Sequence, residues 1–231
     1  MKPIYFLILP LLILYCGCAG SGFDQGLINK KLSYDVITND ADIQKVLTLK
    51  PQLTAPLRLA VYLDQQVVNY WQNTYWRWVE NDKAKILDTL KSIDDSLFSE
   101  IFIIPSSMVG DSNIKTIRLA AARHNADAVL VIRGINDIDK YGNFWSWTYI
   151  TIILGWIVPG TEVDSYFKLS ASMWDVRNEY LYLTAESDSY SNYSKAAFII
   201  NDKNIVNKDK TVAFNSILKE LKSRFKNLYK E

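Results

Sequence analysis

The sequence predicts an α/β domain with an α+β tendency: a single layered domain with a mixed sheet, in the order β-α-β-α-β, an apolar insert, then β-β-α. Three observations carry this. Short apolar strand patterns near 57–63, 101–104 and 128–132 alternate with helical stripes, the arrangement of parallel strands joined by crossover helices. Residues 163–174 then alternate at period two and are followed by a turn and a return strand, so a hairpin extends the sheet antiparallel. The chain closes on a long amphipathic stripe with lysines opposite.

The amino-terminal stretch precedes the domain. Lys2 leads an apolar run from Ile4 to Tyr15, interrupted by Pro10, which closes on Tyr15-Cys16-Gly17-Cys18 and small residues. A spanning helix needs about 20 apolar residues, so this shorter run reads as the core of an export signal. It resembles a bacterial lipoprotein signal with its lipobox, although Tyr15 stands where leucine is usual. The resemblance implies a signal peptide over 1–17, lipidation of Cys18, a tether over 18–56 and a periplasmic α/β domain over 57–231. An uncleaved signal anchor and a buried apolar helix are the alternatives. Loss of Cys16 with the signal would leave no partner for a disulfide within one mature chain. Several acyl chains on one cysteine hold firmly, each buried methylene contributing about 0.8 kcal/mol. By likeness to enterobacterial sorting, Ala19 after the modified cysteine points to the outer membrane more than the inner.

The chain has 231 residues, 49% hydrophobic and 22% charged, enough for one domain with a real core. Lys+Arg number 26 against Asp+Glu 25, and removal of Lys2 with the signal leaves 25 against 25. Such neutrality argues against binding nucleic acid or an anionic surface by field alone. Aromatic content is 13%, with 7 Trp and 14 Tyr, residues suited to places with one wet and one apolar side.

Residues 19–56 are polar and mixed, with one weak helical pattern at Ile43, Val46 and Leu47. Leu57, Leu59, Val61 and Leu63 give a core-facing strand. Val67, Trp71, Tyr75 and Trp78 recur at helical spacing, and Ile86, Leu90, Ile93 and Leu97 follow after a cap at Asn81, reading as one interrupted helical region. Ile101 to Ile104, stopped by Pro105, reads as a strand buried on both faces. Ser112 caps a helix through Ile114, Ile117 and Ala121, with Asn125 as its left-handed terminus. Ala128 to Ile132 is the third strand. After the hairpin turn over Asp175 to Glu179, Tyr180 to Ala185 returns as a strand and 187–194 reads as a polar loop. Phe214, Ile217, Leu218, Leu221, Phe225 and Leu228 line the last helix.

Catalytic patterns are sparse. His124 is the only histidine and sits at a helix end, where the helix dipole favours it as a cap. With no free cysteine in the mature chain, a Cys/His zinc site is excluded, and neither a metal nor a cofactor is expected. Ser106 and Ser107 follow a strand, but no nucleophile elbow, P-loop or dinucleotide fingerprint surrounds them. Asp94 and Asp95, adjacent on a predicted helix, diverge by about 100° and do not converge on one ion. Asp137 and Asp139 share one face of an extended segment beside Lys140.

Phe144 to Val158 (FWSWTYITIILGWIV) is the one stretch that calls for a functional explanation. It is open to three readings: a buried strand or helix, a segment dipping into the bilayer, or a surface for a partner or second copy. In either exposed case Trp145, Trp147, Tyr149 and Trp156 are the expected contact residues.

FSEIFIIP at 98–105, the helix leading into HNAD and AVLVIRG, and TYITIILGWIVPGT ahead of MWDVRNEYLYLTA resemble the rhombotarget lipoproteins, small bacterial envelope lipoproteins named for genomes that carry rhombosortase. The resemblance covers about Leu57 to Ser189 and Cys18, and implies no enzymatic activity. No glycine-rich sorting tail ends this sequence, so it does not read as a rhombosortase substrate. A looser fold resemblance is to the α/β domain of the curli secretion lipoprotein and of the Tol propeller protein's amino-terminal part, carried by ADAVLVIRG at 126–134. The expectation is therefore a non-enzymatic, lipid-anchored envelope protein that binds a protein partner or itself through 144–158. The alternatives are a subunit of a secretion or transport assembly with that segment in the bilayer, and an envelope enzyme using Ser106, Ser107 or a carboxylate.

Overall fold

The structure is a computed structural model that describes residues 22–33, 40–68, 75–94, 96–150 and 153–228. The signal and Cys18 lie outside the described residues, as do Trp71 and Asp95. Five strands form one sheet in the order β2-β1-β3-β4-β5: β1 (Leu57–Val67), β2 (Phe98–Ile103), β3 (Ala128–Gly142), β4 (Thr161–Asp175) and β5 (Leu181–Lys195). Among the described residues the α-helices are α1 (Gln25–Leu32), α2 (Asp40–Leu47), α3 (Glu80–Lys91), α4 (Ile114–Arg123) and α5 (Asp202–Leu228). From β1 onward the element order is the one the sequence predicts. β1 pairs parallel with β2 and β3, and β4 pairs antiparallel with β3 and β5.

Side-chain alternation along β1 decides the layers. Leu57, Leu59, Val61 and Leu63 face a large core closed by Ile86 and Leu90 of α3 and by Phe214, Ile217, Leu221 and Phe225 of α5. Ala60 and Tyr62 face the opposite side, where Ile117, Ala120 and Ala121 of α4 cover them. Strand β1 is thus buried on both faces, as parallel strands between helix layers are.

The parallel part of the sheet ends where Val67 pairs with Asn136, but β3 continues to Gly142 opposite Thr161. Beyond Asn136 the sheet narrows to a three-stranded arm of β3, β4 and β5. One face of this arm carries Ile138 and Val163 against the start of α5 at Ile205 and Val206. The other carries Asp139, Tyr141, Asp164, Tyr190 and Asn192.

Several expectations need correction. The stretch read as a tether contributes α1: Asp24 Oδ1 accepts from Leu27 N at 2.8 Å, and Ile28 and Leu32 bury against Ile135. Its pattern is too short and polar to stand out. Helix α2 forms where expected, with Ile43, Val46 and Leu47 exposed. Tyr75 to Val79 is a loop rather than helix, because Trp76 turns into the core against Phe167, with ring centroids 4.8 Å apart, and the Trp78 indole donates to Asp64 O. Asn81 lies inside α3, and Asp82 Oδ2 accepts from Val79 N instead. Asn113, not Ser112, caps α4; the Ser112 hydroxyl donates to Asp64 Oδ1 at 2.9 Å.

Strand β2 is an edge strand and only partly covered, where burial on both faces was expected. Asn125 adopts φ 55°, as expected of a left-handed terminus. The polar run 187–194 is not a loop but the second half of β5. Ser187, Ser189 and Ser191 look inward to polar groups of α5: Ser187 Oγ donates to Ala213 O at 2.7 Å and Ser191 Oγ to Asp209 Oδ2 at 2.7 Å. Asp94 follows α3 in a turn, rather than on a helix, and accepts from both Ser96 N and Ser96 Oγ.

Candidate functional site: an exposed aromatic cap

The arm ends in the connection between β3 and β4, which folds back as two short 3-10 turns, Phe144–Ile150 and Leu154–Trp156. Asn143 pins both ends of it. Its backbone N–H donates to Gly160 O, its side-chain oxygen accepts from Trp145 N at 2.9 Å, and its Nδ2 donates to Pro159 O and Glu162 Oε1 at 2.8 Å each. The Tyr149 hydroxyl closes the loop from inside, accepting from Gly160 N at 2.7 Å and donating to Val158 O at 3.1 Å. A Cβ on Gly160 would lie 2.8 Å from the Tyr149 ring and 2.9 Å from the Ser146 backbone, so this close return needs glycine.

With its polar groups tied inward, the loop turns its large side chains outward. Trp145, Trp147 and Trp156 are 53%, 58% and 56% exposed, and Ile150, Ile153 and Ile157 are 87%, 73% and 70% exposed. Burial of this stretch as a strand or helix, one of the readings left open by sequence, therefore does not hold. Tyr149 differs from the other expected contact residues: it is half-buried and acts as an internal strut.

Two members of the cap escaped the sequence reading. Phe198 and Ile199, in the 3-10 turn before α5, are exposed, and Phe198 lies on Trp156 with ring centroids 5.0 Å apart. Gly155 allows this contact, since a Cβ there would come within 2.6 Å of Phe198. The signal was the run AAFII directly after Lys195, overlooked because it sits between two regular elements. No charged side chain occurs from Asn143 to Thr161. Charge resumes only at the base of the cap, where Lys140 Nζ meets Asp202 Oδ2 at 2.8 Å and Lys195 lies over Tyr193.

The other candidates lie elsewhere in the fold. His124 is the C-cap of α4, its Nε2 3.2 Å from Met108 Sδ and its ring beside Phe102. Ser106 and Ser107 lie exposed in a one-turn 3-10 segment. Hydrogen bonds from Ser96 hold the Asp94 carboxyl below its ordinary range. Asp137 and Asp139 do share a strand face, with Asp139 paired across to Asp164. Asp164 is buried and accepts from Tyr190 Oη at 2.6 Å, Asn192 Nδ2 at 2.7 Å and Tyr141 Oη at 3.0 Å. Its hydrogen bond pushes the Tyr190 hydroxyl up to about 12. Among the described residues no group of three or more His, Cys, Asp or Glu is placed to hold a metal ion.

A cleft of about 550 Å³ lies between α1 and the start of α4, lined by Lys30, Lys31, Gln66, Asn113 and Arg133. Its buried cation is committed to the protein. Arg133 pairs with Asp64 at 3.2 Å and donates to the carbonyls of Leu32, Ser33 and Ser112.

No family model matches this sequence, and no curated protein matches it. Solved structures overlap with it at low identity. A point variant of the PelC dodecamer from Paraburkholderia phytofirmans matches at 14% identity over 78% of this chain and 95% of that chain, with a TM-score of 0.36. Lipoprotein GNA1162 from Neisseria meningitidis matches at 14% identity over 70% and 98%, with a TM-score of 0.33. The LpoB C-terminal domain from Salmonella enterica matches at 10% identity over 59% and 84%, with a TM-score of 0.31. Overlaps at these values carry no functional argument.

Proposed function

We propose that this chain is a non-enzymatic, lipid-anchored protein of the bacterial envelope, a relative of the rhombotarget lipoproteins, that works by association through its aromatic cap. The carrying observation is the cap itself: three tryptophans, three isoleucines and Phe144, Phe198 and Ile199 exposed on one uncharged projection. Water-soluble domains rarely expose contiguous apolar patches of this kind without a contact to make. Here the loop's own hydrogen bonds hold the patch outward, so exposure is the folded state of the loop and not a packing failure. The lipobox-like Cys18 supports the anchoring.

The test replaces Trp145, Trp147 and Trp156 together with serine in the full-length protein. Because all three rings are at least half exposed, circular dichroism and urea unfolding should match the parent within about 1 kcal/mol, the range of surface substitutions. Association, read as detergent-reversible oligomers or co-sedimentation, should be lost. Unfolding of the variant, or association that persists unchanged, refutes the reading.

A further inference from the structure

We infer that the occupant of the aromatic cap is the lipid bilayer itself, at the headgroup and upper acyl level of the membrane that holds the Cys18 lipid. This inference rests on the association reading above and commits it to one contact.

The first argument is where the anchor leaves the domain. Phe23 sits on the outer face of the sheet against Tyr166 and Tyr190, with ring centroids at 5.7 and 6.1 Å. From there α1 runs away from the cap: Asn29 accepts from Lys168, and Leu32 and Ser33 reach Arg133, which pairs with Ser170. Followed backward, the chain therefore heads toward the cap end of β4. Tyr166 lies five residues from Thr161, about 17 Å at the strand rise. Cys18 lies five residues before Phe23, a reach of about 17 Å for extended chain. A lipid on Cys18 is thus within chain reach of the level of the cap's base, so that one membrane can meet both.

The second argument is the chemistry of the exposed side chains. The aliphatic tips Ile150, Ile153 and Ile157 are more exposed than the tryptophans. Freely exposed aliphatic tips beside half-exposed tryptophans suit a surface where acyl chain gives way to headgroup, the level at which indole rings concentrate. The absence of charge from Asn143 to Thr161 fits the same environment. Among the described residues no helix is long and apolar enough to cross a membrane.

The experiment uses the lipidated full-length chain in phosphatidylethanolamine/phosphatidylglycerol vesicles, with one nitroxide label at Ile150→Cys, at Ile157→Cys, or at Arg177→Cys in the turn at the far end of the sheet. In the processed chain the native cysteine carries the lipid, so each introduced thiol is the labelling site. The power-saturation readout compares collision with oxygen, which concentrates in bilayers, and with a neutral nickel chelate, which stays in water. The ratio at the Ile150 and Ile157 positions should exceed that at Arg177 several-fold, and the excess should vanish in vesicle-free buffer with mild detergent diluted out. A label shielded from both reagents, with an immobilised spectrum, means that protein covers the cap; this overturns the bilayer inference and leaves the association reading standing. A mobile label open to both reagents overturns both.

Discussion

Arg133 is the residue whose removal should most disturb the placement of α1 on the sheet. Its guanidinium, 3% exposed, pairs with the equally hidden Asp64 and holds the last carbonyls of α1. In Arg133→Met the methionine fills much of the same space but leaves the Asp64 carboxylate buried without its cation. Breaking such a pair costs about 3–5 kcal/mol. Asp64 keeps hydrogen bonds from Ser112 Oγ at 2.9 Å and Gln66 Nε2 at 2.8 Å, which places the expected loss near the lower end, about 3 kcal/mol. At 2–4 °C per kcal/mol for a domain of this size, Tm should fall by roughly 6–12 °C. Urea unfolding measures the loss, and amide exchange at Ile28 to Leu32 reports whether α1 has come away from the sheet. Asp64→Leu added to Arg133→Met should restore most of the stability, because it removes the stranded charge, but should not restore protection of α1. A single variant that loses less than about 1 kcal/mol, or a double variant no more stable than the single, would refute the assignment of this pair.

Two further expectations test the packing and the arm. Gly134→Ala places a methyl 2.5 Å from the Trp76 ring and 3.0 Å from Leu169, so overpacking should destabilise the domain by about 1–3 kcal/mol and shift tryptophan emission. The Tyr190 hydroxyl, raised to about 12 by its bond to Asp164, favours the folded state below the ordinary tyrosine range near 10 and ceases to do so as pH climbs through the folded value. Tyr190→Phe should therefore show a shallower fall of stability between about pH 10 and 12 than the parent, by urea unfolding at each pH; identical slopes would remove Tyr190 from this linkage.

Periodicity made the sheet legible because the early strands are buried on two sides and the hairpin alternates cleanly. It failed where burial is polar. The second half of β5 hides serines against Asp209 and a backbone carbonyl, so hydropathy reads Ser187 to Ser194 as solvent-facing. Helix α1 was missed for a related reason, since its hold on the sheet comes from two apolar side chains and from Arg133, more than a hundred positions away in sequence. The tryptophan-rich stretch was recognisable as unusual, but its outward orientation depends on Asn143 and Tyr149 closing the loop from within, a tertiary arrangement that composition does not encode. For the same reason Tyr149 looked like a contact and is a strut, while Phe198 and Ile199 looked incidental and join the surface.

The narrowing of the sheet beyond Asn136 also sets a height. Six further residues of β3, at about 3.3 Å each, lift the wide part of the domain roughly 20 Å from the base of the cap. If the cap marks a surface, the arm is the spacer that decides how far from that surface the domain's opposite end, with the Asp175 to Glu179 turn, is presented. Because side chains alternate faces, such a spacer changes length without scrambling its two sides only in steps of two residues per strand, about 7 Å at a time. The arm therefore admits only a stepped series of heights for that far end.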